Sequence, residues 1–258
     1  MRHFSVVERC VIVALVTLVV IGAGIGVAAY SLRLAQAELD ARLDLAHQMT
    51  SQRVGTAVGV LRSLTAFSQA HDELDMTELA SYAGQLRREL PAIRYVGTLL
   101  RLEHQDRDWF EQLYRREGME GFAVRDLVGD SRGPPAAPRD EYLPLAFVDP
   151  LTPLTGALLG VDLSMRPAVQ ALMQESVQSG TVAARLGRIY AGTEAPHLLL
   201  AQATYFGRYP PASPDARGAQ VSGLILLAVD MQPLLGTIAS AHDATRIEFA
   251  LKDRPRSK

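Results

Sequence analysis

Six histidines, at positions 3, 47, 71, 104, 197 and 242, are the first residues to weigh for chemistry. None stands in an H-E-x-x-H or comparable ligand spacing, so no metal site is expected. His71-Asp72 and His242-Asp243 are adjacent pairs that read as solvated ends of elements. No G-x-S-x-G elbow, P-loop or G-x-G-x-x-G after a strand occurs. Carboxylate pairs such as Asp106/Asp108 and Asp149/Asp162 are present, but general acid–base catalysis needs two groups within mutual reach. Arg107 and Glu111, four apart in a helical stretch, read instead as an ion pair along the surface of that helix, with Phe110 turned to the core. Tyr142, Phe147, Tyr205 and Phe206 offer aromatic area to a core or a pocket. The chain is expected to have no enzyme activity and no cofactor.

The elements that position these residues begin with an uncharged run. Cys10–Leu32 (CVIVALVTLVVIGAGIGVAAYSL) carries no charge between Arg9 and Arg33. At about 1.5 Å per residue it reaches roughly 34 Å, enough to cross a bilayer core and longer than a signal-peptide core. Arg2 and Arg9 before it and Arg33 and Arg42 after it give a weak bias toward an inside N-terminus. Gly22 and Gly26 form a G-x-x-x-G pair that lets two helices approach closely. From Leu32 to about Ala70, Leu39, Leu43, Ala46, Thr50, Val54, Ala57, Leu61 and Leu64 make one apolar helical stripe, read as a stalk.

The chain has 258 residues, 48% of them apolar, and a net charge of −2, so no nucleic-acid surface is expected. Cys10 is the single cysteine, which rules out an intrachain disulfide. Beyond the stalk, helices are expected at Thr77–Glu89, Asp106–Glu117 and Pro167–Ser179, the last ended by Gly180. Strands are expected at Ile93–Leu102, Phe122–Val128, Tyr142–Val148, Leu158–Leu163, Arg185–Tyr190, His197–Phe206, Val221–Val229 and Arg246–Leu251. Gly129–Asp140 and Pro210–Gly218 read as loops, and Pro150–Gly156 as a turn. Late strands follow one another closely, as in antiparallel sheet, which makes the fold class α+β.

With the elements in place, the segment from about Glu78 to Asp253 resembles the CHASE domain, the extracytoplasmic sensory module of cyclase- and histidine-kinase-type receptors. Asp106-Arg107-x-x-Phe110-Glu111 is similar to the family's E-R-x-x-F-E helix, and Gly118-x-x-Gly121-Phe122 precedes a strand as it does there. Tyr142-Leu-Pro144-Leu145 resembles the Y-x-P-V strand, and Asp149-Pro150 the acidic-Pro turn. Leu159-Gly160-Val-Asp162-Leu163, then Pro167 and Gly180, resemble the L-G-x-D-L block and its sequel; Arg217 and Gly223 fall where the family has an Arg and a strand Gly.

The resemblance implies a PAS-like, largely antiparallel domain at 75–253, after a cytoplasmic N-terminus (1–9), a transmembrane helix (10–32) and a stalk helix (33–74), with a tail at 254–258. It implies a single-pass protein of the inner (cytoplasmic) membrane with the C-terminal domain outside the cytoplasm, binding a small molecule in signal transduction. The candidate ligand-binding residues are Tyr142, Phe147, Asp149, Asp162, Arg185 and Tyr205. Asp162 also has a structural reading, as a buried carboxylate on backbone amides. An inward Arg185 would suit a carboxylate or phosphate. The chain departs from the plant cytokinin receptors of this family. Pro150 stands where they have a ligand-contacting Asp, Arg185 where they have a pocket Thr, and Ala203 and Val169 replace a Pro and an Arg, so cytokinin is not implied. A homodimer through the Gly22/Gly26 span and the stalk is expected. The sequence shows no cyclase signature, phosphoacceptor histidine motif or second apolar run. The expected function is therefore sensing without an output domain of its own. The alternatives are an anchored interaction module partnering a separate receptor, or a truncated receptor.

Overall fold

A computed structural model of the chain describes residues 6–70, 76–129, 131–188, 197–207 and 209–231, without the side chains of 6–17, 19–29, 35, 46 and 76. The His71-Asp72 and His242-Asp243 pairs, the expected strand Arg246–Leu251 and the tail lie outside the described residues. The chain divides into two units, residues 1–52 and 53–258.

The first unit contains most of helix α1 (Val6–Ala70). Leu32, Leu34, Leu39, Leu43 and Leu45 are exposed along it, and Glu38 pairs with Arg42 one turn on. Among the described residues no helix is long and apolar enough to cross a membrane. The side chains of Cys10–Thr17 and Val19–Ala29, Gly22 and Gly26 with them, lie outside the described residues, where the backbone is helical.

In the second unit a five-stranded antiparallel sheet is built from β1 (Ile93–Leu100), β6 (Leu145–Asp149), β7 (Ala183–Gly187), β8 (His197–Tyr205) and β9 (Val221–Val229), in the order β6-β1-β9-β8-β7. Both faces are covered, which is why β8 and β9 read as nearly unbroken apolar runs. Along β9, Ile225, Leu227 and Val229 meet Ala57, Leu61 and Leu64 of α1 and Leu79, Ala83 and Leu86 of α2 (Met76–Glu89). The alternate residues Leu224, Leu226 and Ala228 join the opposite core. That second core takes Phe110 and Tyr114 from α3 (Arg107–Arg116). It also takes Val169, Leu172 and Val177 from α5 (Pro167–Ser179). The expected α+β class is thus observed as helices packed on an antiparallel sheet.

Local chemistry sets the element ends. Helix α5 starts with Pro167 at its first turn and stops at Gly180, whose φ of 69° is the left-handed cap that glycine adopts without strain. Helix α2 carries Glu78 at its start and Arg87 and Arg88 at its end, matching its dipole. Three expectations are corrected. Leu158–Leu163 is not a strand but a buried crossing joined by single bridges at Arg125↔Val161 and Pro144↔Asp162, because Gly160 turns at φ 77°. Part of the expected loop Gly129–Asp140 is β4 (Ser131–Pro135), paired to β3 (Arg125–Val128). Part of Pro210–Gly218 is α6 (Pro214–Gln220), capped by the Ser213 hydroxyl accepting from the Ala216 amide. Two short strands, β2 (Leu102–Glu103) and β5 (Glu141–Tyr142), pair apart from the main sheet, and α4 (Pro153–Gly156) occupies the expected turn after Pro150.

Candidate functional site

The first cluster of candidate residues forms around β5. Tyr142 is 1% exposed, its ring between the guanidinium groups of Arg107 and Arg139, each 5.2 Å from the centroid. Its hydroxyl accepts from the Arg139 amide (3.1 Å) and donates to the Ala137 carbonyl (3.2 Å), with His104 Nδ1 at 3.0 Å. Arg107 donates through Nε to Glu111 (2.8 Å) and through Nη1 to the Ala136 carbonyl (2.8 Å). Arg115 Nη2 and the Val124 amide also donate to Glu111. Burial pushes the Glu111 carboxyl upward. The Arg107 hydrogen bond, the Val124 amide and the charges of Arg107 and Arg115 outweigh burial and hold it below the usual carboxylate range.

Asp162, 2% exposed, joins this cluster as a structural carboxylate. Its Oδ1 accepts from the amides of Leu143 (2.9 Å) and Ser164 (2.8 Å), tying β5 to the crossing segment. Its Oδ2 lies 3.6 Å from Arg139 Nη1 and has no hydrogen-bond partner. Arg139 is held more closely by Asp126. Tyr142 and Asp162 therefore belong to one polar scaffold whose groups largely bond to each other.

Asp149, at the end of β6, lies elsewhere. Its Oδ2 accepts from Arg87 Nη1 of α2 at 2.9 Å. The two wall a groove of about 430 Å³ lined by Ala80, Ser81, Gly84, Arg87, Arg88 and Asp149. Ser81 and Gly84 leave this space because Leu79, Ala83 and Leu86 turn to the core on the other side of α2, while Ala80 lines the groove and also packs against that core. Arg87 Nε is buried without a hydrogen-bond partner, an arrangement costing about 1–3 kcal/mol. A volume of this size fits a small molecule.

The other three candidates do not meet at either place. Phe147 packs in the core against α1 and α2. Arg185 points outward on edge strand β7 and pairs with Glu175 at 3.5 Å, so the condition for an inward anion contact is not met. Asp149 and Arg185 stand on opposite edges of the sheet. Tyr205 is buried in the core containing Phe110, and its hydroxyl has no partner. Burial raises its pKa, with Arg217 pulling the other way. Among the described residues no cluster of His, Cys, Asp and Glu could hold a metal ion.

The CHASE domain family model matches residues 72–258, most of the chain. The chain belongs to the CHASE domain family. CHASE domains are extracytoplasmic sensory domains of cyclase and histidine-kinase receptors. No curated protein matches the chain. Within this CHASE domain the motif residues hold the frame. A Cβ at Gly160 would lie 2.8 Å from the Ala123 carbonyl, and one at Gly223 would lie 2.2 Å from that of Leu99. Arg217, 8% exposed, closes the C-terminal end of α5 with bonds to the carbonyls of Val177 (2.6 Å) and Gln178 (2.6 Å). It also reaches those of Pro211 (3.0 Å) and Ala212 (2.9 Å). Sequence reasoning missed Arg87, Arg88 and Arg139. Two basic residues closing a helix are already explained by its dipole, and Arg139 lies in a stretch read as loop.

Proposed function

We propose that this CHASE domain is the small-molecule-sensing part of a single-pass inner-membrane signalling protein, anchored through Cys10–Leu32 with its sensory domain outside the cytoplasm. The ligand occupies the groove between α2 and β6. The observation that carries this reading is Asp149, from the acidic-Pro turn, paired with Arg87 on the wall of a 430 Å³ space. The five main strands, numbered along the chain, lie in the order 2-1-5-4-3, which supports the PAS-like description.

Coupling to the anchor runs through helix packing. Tyr82 of α2 stacks on Phe67 of α1 at 5.0 Å, so a ligand that binds one position of α2 more tightly biases α1. Exposed Leu32, Leu39 and Leu43 support pairing of two copies along the first unit, continued by Gly22 and Gly26 in the span. Output would come from a domain or partner joined to this signal.

The test is a calorimetric small-metabolite screen of the full chain in detergent, wild type beside Ser81→Trp, which fills the groove. A ligand bound by the wild type and lost in the variant is expected. A ligand bound equally by both overturns the groove as its site.

A further inference from the structure

The groove has a charge pattern that specifies more than size. Arg88 extends beside the bare backbone of Gly84, where an added Cβ would stand 3.7 Å from its Nη1. Among the described residues no carboxylate pairs with Arg88. The nearby acid Glu89 accepts from Gln85 Nε2 at 3.1 Å. Arg87 spends Nη1 on Asp149 and keeps a buried Nε without an acceptor. The six lining residues thus hold two guanidinium groups against one carboxylate, an excess of one positive charge, and include the Ser81 hydroxyl. Asp149 has a second oxygen that Arg87 does not use.

Resting on the reading of this groove as the ligand site, we infer that its ligand is a small metabolite bearing an oxyanion, carboxylate or phosphoryl. The oxyanion sits on Arg88, and a hydroxyl or amino group of the ligand donates to Asp149. The guanidinium fork suits such an oxyanion in shape as well as charge. A neutral ligand would leave the excess charge uncompensated. Arg88 is then the residue that selects anions, while the Arg87–Asp149 pair fixes orientation.

Calorimetry on the full chain in detergent, with L-malate, inorganic phosphate, adenine and glycerol as probes, tests this. Binding of malate identifies a carboxylate source, and binding of phosphate a phosphoryl one. Either should weaken about tenfold in Arg88→Gln, the loss of one charge-assisted contact, and should weaken with added salt. Arg88→Lys should retain part of the affinity. Oxyanion binding that is lost in Ser81→Trp but unchanged in Arg88→Gln overturns the anion inference and leaves the groove standing. Binding that survives Ser81→Trp overturns the groove itself. Heat from adenine or glycerol alone, or no heat from either oxyanion, overturns the inference.

Discussion

Replacing Asp162 separates a scaffold residue from a ligand residue. Asp162→Ala strands the buried Leu143 amide and the part-buried Ser164 amide, now bonded to Oδ1 at 2.9 and 2.8 Å. Each bond to a charged acceptor contributes about 1.5–3 kcal/mol, so the pair is worth about 3–6 kcal/mol. Asp162→Asn keeps an oxygen for both amides. It loses the negative charge and the 3.6 Å contact with Arg139, a cost of about 1–2 kcal/mol. For a domain of this size, 1 kcal/mol shifts Tm by about 2–4 °C. Thermal unfolding followed by circular dichroism should then show a drop of about 10 °C for alanine and about 4 °C for asparagine. Malate or phosphate binding in the groove should be unchanged in the asparagine variant. Equal losses for the two variants would refute the assignment of Oδ1 to the amides. Loss of binding without loss of stability would make Asp162 a ligand contact.

Three other perturbations have expected outcomes. Gly223→Ala forces a Cβ into the Leu99 carbonyl at 2.2 Å between central strands, so it should destabilise by at least about 3 kcal/mol, measured by urea unfolding. Glu111 has a depressed folded-state pKa, so its stabilisation is complete above the ordinary carboxylate value and disappears as pH falls through the depressed one. The stability gap between wild type and Glu111→Gln should be largest near neutrality and narrow toward pH about 3. Arg217→Ala opens four carbonyl bonds, two at the end of α5 and two in the loop before α6, and should cost at least about 3 kcal/mol. Arg217→Lys should recover only part of this, because an ammonium cannot span the same fork.

The fold was legible where one residue decides an element and along the apolar runs of β8 and β9, but not at the apolar run Leu158–Leu163. Pro167 and Gly180 bracket α5 as expected, and β8 and β9 are continuous because both their faces are buried. Leu158–Leu163 looked the same in sequence, but apolar character reports burial and not strand pairing; Gly160 at positive φ breaks the extended run. The Arg107–Glu111 pair and the role of Asp162 on backbone amides were readable from spacing and neighbours. Convergence of the six candidate residues was not. Tyr142 and Asp162 join one scaffold, Phe147 faces the helices, and Asp149 and Arg185 lie on opposite edges of the sheet. That distribution follows from strand order, to which residue type is blind. The groove itself depends on which side of α2 its small residues face, so Arg87 and Arg88 entered only with the packing.

The sensing role rests on whether a small molecule occupies the groove of α2 and β6. Native mass spectrometry of the full chain, purified beside Ser81→Trp and exposed to the same metabolite extract, addresses that directly. The account predicts a small anionic molecule retained by the wild-type chain and absent from the variant. The same bound molecules on both chains would contradict it.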